Sequence, residues 1–205
     1  MAVDRLVLHQ DGVEHHGDAA FGVEHLLNVA WGLGSARFDV PNSDEQEEAG
    51  QDQRQRLGQG VLSASWQRTW ALDWVAQASA YARRQTAELT PSLVDTPLSA
   101  HADRSLTRVG VLAGITRQIE AHLLKAGIEV QTLRLDERFP FAVTDPEDGE
   151  DAGLSGPALD FTPERPFRFQ DSARPTLFAA YLQDSWQASR RWSVAAGIRF
   201  DRTRL

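Results

Sequence analysis

Apolar side chains recur at every second position of this chain, and several runs of the pattern last for ten residues or more. The clearest run is the last. Trp192, Val194, Ala196, Ile198 and Phe200 lie on one parity, and Ser193, Ala195, Gly197, Arg199 and Asp201 on the other. Successive side chains of an extended strand point to opposite faces, so the run predicts a strand with one apolar and one polar face. A helix would need apolar residues spaced by three and four, and no such stripe competes here.

The same alternation precedes it. Phe178, Ala180, Leu182 and Trp186 oppose Ala179, Tyr181, Gln183 and Ser185, with Asp184 breaking the apolar parity. Leu124, Ala126, Ile128 and Val130 oppose Lys125, Gly127, Glu129 and Gln131. Val109, Val111, Ala113 and Ile115 oppose Arg108, Gly110, Gly114 and Thr116. Leu72, Trp74, Ala76, Ala78 and Ala80 oppose Asp73, Gln77, Ser79 and Arg83. Weaker versions run through Leu62, Ala64 and Trp66, through Leu27, Val29, Trp31 and Leu33, and through Leu6 and Leu8. The expectation is about eight long strands.

Two architectures use such strands. In a soluble sandwich the apolar face is core and the polar face is wet. In an outer-membrane barrel the apolar face meets lipid. The strands favour the barrel, because globular strands average about 5–6 residues and a tilted membrane strand needs about 9–11. The apolar faces also lean on Trp and Ala rather than on interlocking branched residues. The connections point the same way. Short turns are expected at 67–73, 116–121 and 187–191, and long polar connections at 41–55, 88–104 and 137–175. Alternating short and long connections is the layout of an up-and-down antiparallel barrel with tight turns at one rim. The fold expected is therefore all-β, a partial outer-membrane-type barrel. A small self-closed or soluble β-barrel or sandwich binding protein is the alternative.

The tryptophans give a separate reading. Trp66, Trp70 and Trp74 bracket one short turn, and Trp186 and Trp192 bracket another, so five of the six Trp fall at one height. An indole is apolar but wants a partner for its N–H, which suits the membrane–water boundary. These five are the expected interface girdle. On the polar parity, Arg83, Lys125, Glu129, Gln131, Arg199 and Asp201 are the candidates for contact with a ligand or with whatever fills the lumen.

Composition removes other functions. The chain has no Cys, which excludes thiol catalysis, Cys-based zinc and iron–sulfur sites and disulfides. Its net charge is −8, with no basic patch for nucleic acid. The longest apolar run, Leu177 to Leu182, is far too short for a membrane helix. No Gly-x-Ser-x-Gly, His-Glu-x-x-His or phosphate-loop motif occurs, so no catalytic residue is assigned. His9, His15, His16 and His25 match no ligand spacing and suit a turn. The stretch 145–151 is acidic but lacks a calcium-loop pattern, and 44–48 likewise reads as hydrated loop. No metal or cofactor is expected. The opening residues from Met1 lack the basic region, apolar core and cleavage site of a signal peptide, and the last strand runs to Leu205. Residues 1–205 are thus read as a piece of a longer barrel domain.

The segment Tyr181-Leu182-Gln183-Asp184-Ser185-Trp186, followed by Gly197-Ile198-Arg199-Phe200-Asp201, resembles a hairpin of TonB-dependent outer-membrane receptors. His122-Leu123-Leu124-Lys125-Ala126-Gly127-Ile128-Glu129 and Arg37-Phe38-Asp39-Val40-Pro41-Asn42 are similar to other segments of that family. The resemblance implies a plugged barrel of about 22 strands in the outer membrane of a Gram-negative cell. It implies energised uptake of a scarce ligand, such as a siderophore or glycan. The partners implied are outer-membrane lipid, a plug domain, the remaining barrel strands and, indirectly through the plug, TonB. This chain carries no plug or TonB box, so it is not expected to transport anything alone.

Overall fold

The computed structural model describes residues 9–20, 25–70 and 73–205, with the backbone alone given for 9–20. Leu6, Leu8 and Leu72, and the residues from Met1 that bear on a signal peptide, lie outside the described residues. Eight long strands form one continuous antiparallel path: β1 (His9–Ala20), β2 (His25–Asp39), β3 (Arg54–Trp70), β4 (Trp74–Thr90), β6 (Ala102–Ile119), β7 (His122–Val143), β9 (Thr176–Ser189) and β10 (Trp192–Arg204). Two short strands, β5 (Leu98–Ala100) and β8 (Phe167–Ala173), pair with the far end of β7 and complete a ten-stranded sheet. Along this path sequence neighbours are sheet neighbours, as an up-and-down wall requires.

The register converts the sequence pattern into two surfaces. One row of paired residues crosses the sheet through Leu27, Trp66, Ala78, Ala113, Ile128, Ala180 and Phe200. The row beside it, one residue along each strand, runs through Asn28, Ser65, Ser79, Leu112, Glu129, Ala179 and Asp201. The first belongs to the apolar face and the second to the polar face.

Among the described residues there is no second layer and almost no core. The buried apolar residues are Ala142, Val143 and Ala179. Leu33, Leu62, Leu182, Ile198 and Phe200 are all more than half exposed. A soluble sandwich would hide these side chains against a facing sheet. Among the described residues the sheet path starts at β1 and ends at β10 without pairing them, so the described strands do not close on themselves. The structure is an open arc of barrel wall. Among the described residues no helix is long and apolar enough to cross a membrane, which says nothing about crossing by strands.

Several element boundaries differ from expectation. β3 runs to Trp70 and β4 begins at Trp74, so part of the expected 67–73 turn is strand. The 116–121 turn shrinks to Glu120-Ala121, with Glu120 at φ 52°, and the 187–191 turn to Arg190-Arg191. A two-residue loop matches the twist of a hairpin, and such loops take positive φ. The long 88–104 and 137–175 connections are not plain loops. They hold β5, β8, the last turns of the ladder on β4, β6 and β7, the helix α2 (Pro146–Asp151) and a 3-10 turn (Gly156–Asp160). A helix α1 (Asp44–Glu48) likewise sits in the 40–53 connection, closed by a Ser43–Gln46 capping box. The Pro, Gly, Asp and Glu of these connections concealed the short elements between them, and the apolar end of β7, Phe139–Val143, lacks the alternation that marks the other strands. His9, His15 and His16 fall within β1 rather than in a turn.

The long connections pack on each other. The Thr144 hydroxyl donates to the Asp95 carbonyl (2.6 Å), and the Gln51 amide to the Thr96 carbonyl (3.4 Å). Phe141, Phe161 and Phe167 form a small aromatic cluster, with ring centroids 4.9 to 5.5 Å apart. The Thr162 hydroxyl donates to Glu164 (2.8 Å), and this bond, with help from Glu164's own backbone, holds that carboxyl below the ordinary glutamate range.

Candidate functional site

The polar face is the candidate site. It carries all six polar residues singled out from the sequence, because each has the parity of the Asn28–Asp201 row. They do not converge on one point. Arg83 is paired with Arg108, Lys125 with Thr116 and Gln183, and Gln131 with Gly110 and Leu177. Glu129, Arg199 and Asp201 do meet. The Arg199 guanidinium reaches across β9 from β10 to β7, lying 3.3 Å from Glu129 Oε2 and 2.9 Å from Asp201 Oδ1. Beneath this bridge is Ala179, which is 1% exposed and stands between Glu129 and Asp201 in the register. Arg199 is half exposed, so the network orders the wall more than it stabilises it.

Two tyrosines organise the same face, and sequence reasoning did not single them out. Tyr81 of β4 lies flat over Gly110 of β6, and its hydroxyl donates to Gln131 Oε1 of β7 at 2.6 Å. A Cβ at Gly110 would sit 2.6 Å from the ring. Tyr181 of β9 covers Gly127 of β7 in the same way, also 2.6 Å from an added Cβ, and its hydroxyl reaches Gly114 of β6. Gly110, Gly114 and Gly127 are thus seats for aromatic rings, which return packing that a strand glycine otherwise forfeits. The signal was present in the alternation, where glycines repeat on the polar parity. The pairing was hidden, since it depends on register.

Between β2 and β7 the polar face holds a concavity of about 750 Å³, lined in part by Leu57, Gln59, Val61, Arg83, Leu106 and Leu135. A smaller one of about 290 Å³, nearer the short turns, is lined in part by Gln67, Gln77, Ser79, Glu129, Tyr181 and Arg199.

The five tryptophans named above gather towards the short-turn rim. Trp70 and Trp74 face each other across their turn and stack, with centroids 5.9 Å apart and planes 10° apart. Arg117 lies 4.5 Å above the Trp74 ring, a cation–π contact. Trp66 Nε1 donates to His25 Nδ1 at 3.3 Å. Trp186 stacks on His122, which is 2.7 Å from Asp184. That bond explains why a carboxylate is tolerated on the apolar parity: His122, one position from the turn, partners it. Trp192 is 71% exposed, just before a register shift in β10.

No group of three or more His, Asp or Glu positioned for a metal occurs among the described residues. The acidic stretch 145–151 is largely α2, with Asp145 as its N-cap accepting from the Glu147 and Asp148 amides.

Residues 13–205 match the family model described as TonB dependent receptor-like, beta-barrel. The fold is shared with the ferric citrate transporter FecA in its unliganded form (TM-score 0.69, 13% identity, 97% of this chain and 30% of that one). It is shared with the copper transporter OprC (0.69, 14%, 97% and 29%). It is also shared with the siderophore receptor PiuA from Acinetobacter baumannii (0.66, 12%, 96% and 35%). The chain therefore spans about a third of the length of these proteins. No curated protein matches it by sequence.

Proposed function

The chain belongs to the TonB-dependent receptor-like β-barrel family, a family of outer-membrane receptors and transporters, and on that premise we propose that residues 1–205 are one arc of a receptor's barrel domain. The apolar face meets lipid. Trp66, Trp70, Trp74, Trp186 and Trp192 lie at the boundary on the short-turn side. The polar face lines the lumen, where Arg83, Lys125, Glu129, Gln131, Arg199 and Asp201 meet a ligand, a plug domain or both. Uptake of a scarce ligand draws on a plug and, through it, on TonB. The arc alone does not transport. Its role is to build the wall, not to catalyse.

The observation that carries this reading is the unbroken apolar row across the sheet, on which nothing packs among the described residues. Backbone groups in hydrocarbon must be paired internally, and this ladder pairs them. The relatives differ in cargo, being described as transporters of ferric citrate and copper and as a siderophore receptor. The test is depth-resolved tryptophan quenching. Variants that keep only Trp66 or only Trp186 are folded into vesicles whose lipids carry bromine either near the headgroups or near the chain ends. Stronger quenching by the shallow bromines is expected for both. A monomer that stays in water and is quenched by neither lipid would overturn the proposal.

A further inference from the structure

Three polar side chains are buried among the described residues, and all three sit where two long connections meet. Gln51, 5% exposed, belongs to the 40–53 connection, and Ser92 and Asp95, 6% and 3% exposed, to the 91–97 connection. A buried carboxylate is costly unless it is paired, hydrogen-bonded or bound to a metal. Asp95 is provided for on one side only. Its Oδ2 accepts from the Ser92 amide at 2.9 Å. Its Oδ1 is covered and has no hydrogen-bond partner, and no Lys, Arg or His pairs with the carboxylate among the described residues. Gln51 shows the same one-sided pattern. Its Nε2 donates to the Thr96 carbonyl at 3.4 Å, while its Oε1 is covered and receives no donor.

The frame around these two oxygens is tied from three connections. The Asn42 amide donates to the Gln51 carbonyl (2.6 Å), and the Thr144 hydroxyl to the Asp95 carbonyl (2.6 Å). The Thr144 N–H donates to the Pro97 carbonyl (2.9 Å). The Gln51 side chain thus rests on the residue next to Asp95, and neither side chain can leave without breaking a bond. Both unmet atoms are acceptors, so the junction suits a positive charge and repels an anion. Its donor set is all oxygen: a carboxylate, an amide oxygen, the Ser92 hydroxyl and nearby carbonyls. Such a set selects a hard cation. Magnesium demands near-ideal octahedral geometry and keeps several waters, which a buried junction does not favour, whereas calcium accepts irregular sets of about six to eight oxygens.

We propose that the junction of the 40–53 and 91–97 connections binds a calcium ion, with Asp95 Oδ1 and Gln51 Oε1 as its side-chain ligands. The site has one carboxylate and draws its ligands from two connections, so no acidic motif marks it in the sequence. A single charged ligand also sets the strength. The ion is held weakly, with a Kd on the order of 10⁻⁴–10⁻³ M. When bound, it locks the two connections to each other. The inference goes beyond the wall reading and does not rest on it, because both ligands lie outside the sheet.

The test is equilibrium dialysis of calcium chloride against the whole chain in non-ionic detergent, beside amide exchange across 91–97. Calcium is expected to saturate a single class of site in the range above. At about ten times its Kd it should slow exchange of the Ser92 amide about tenfold. Magnesium at the same concentration should do neither. Asp95→Asn, which keeps the shape and removes the charge, should weaken calcium about tenfold or more. Gln51→Glu should tighten it about tenfold, and it keeps the proposal open to refutation should Asp95→Asn fail to fold. Glu147→Gln, exposed on α2, should change nothing. If calcium does not saturate, water alone or a proton serves these oxygens and the site is overturned. Binding that neither Asp95→Asn nor Gln51→Glu alters overturns it as well. Loss on Glu147→Gln moves the ion to the acidic stretch and likewise overturns the assignment.

Discussion

Gly110→Ala is a severe test of the polar face, because one methyl group is added to a strand that would ordinarily welcome it. In a strand interior, Ala is better than Gly by about 0.5–1 kcal/mol. Here the new Cβ would lie 2.6 Å from Cζ and Oη of Tyr81. Carbon contacts are comfortable at about 3.5–4.0 Å, so the ring must retreat by roughly 1 Å. It cannot do so freely, since its hydroxyl is held by Gln131 at 2.6 Å. Overpacking costs about 1–3 kcal/mol, and losing the hydrogen bond costs about 1 kcal/mol more. Subtracting the propensity gain leaves a net loss of about 1–3 kcal/mol. The assay is urea unfolding in detergent micelles, followed by tryptophan fluorescence, on a double-mutant cycle with Tyr81→Ala. With the ring gone, Gly110→Ala should become neutral or mildly stabilising, giving a coupling of about 2 kcal/mol. A coupling below about 0.5 kcal/mol, or a destabilising Gly110→Ala in the Tyr81→Ala background, would refute the ring-over-glycine account.

Other consequences are open to direct measurement. Glu120→Gly should stabilise the chain by about 1 kcal/mol in the same urea assay, because Glu120 sits at φ 52° where a Cβ is penalised; an unchanged midpoint would show that the turn stores no strain. Ser43→Ala should raise amide exchange across Asp44–Glu48, since it removes the hydroxyl that accepts from Gln46 N–H, an interaction worth about 1 kcal/mol. Thr162→Val should move the Glu164 pKa upward, towards the ordinary value, in a carboxyl-detected NMR titration, because the shift rests first on the Thr162 hydrogen bond.

Much of the sheet could be read from parity alone. Trp192 to Phe200 and Leu124 to Val130 need nothing but alternation to become strands, and alternation also assigns Arg83, Glu129 and Arg199 to one face. What parity does not contain is register. Glu129 and Arg199 are 70 positions apart, and only the β7–β9–β10 pairing brings them together over Ala179. Arg108 was visible as a polar-parity residue, but its adjacency to Arg83 was not. Asp184 looked like a defect until His122 was placed beside it. The far end of β7 is hidden for another reason: Phe139–Val143 is apolar at every position, so it shows no alternation, and it is held by pairing with β5 and β8 beside the Phe141–Phe161–Phe167 cluster.

The two tyrosines solve a counting problem that hydrophobicity leaves open. Sliding one strand past its neighbour by one residue would turn greasy side chains inward and is forbidden at once. Sliding by two restores every facing and is nearly invisible to a medium that senses only oiliness. Tyr81 finds its vacant seat at Gly110 and Tyr181 at Gly127; shifted by two, Tyr81 would meet Arg108 or Leu112, and Tyr181 would meet Lys125 or Glu129. The missing methyls therefore act as index marks, telling each strand where along its partner to stop.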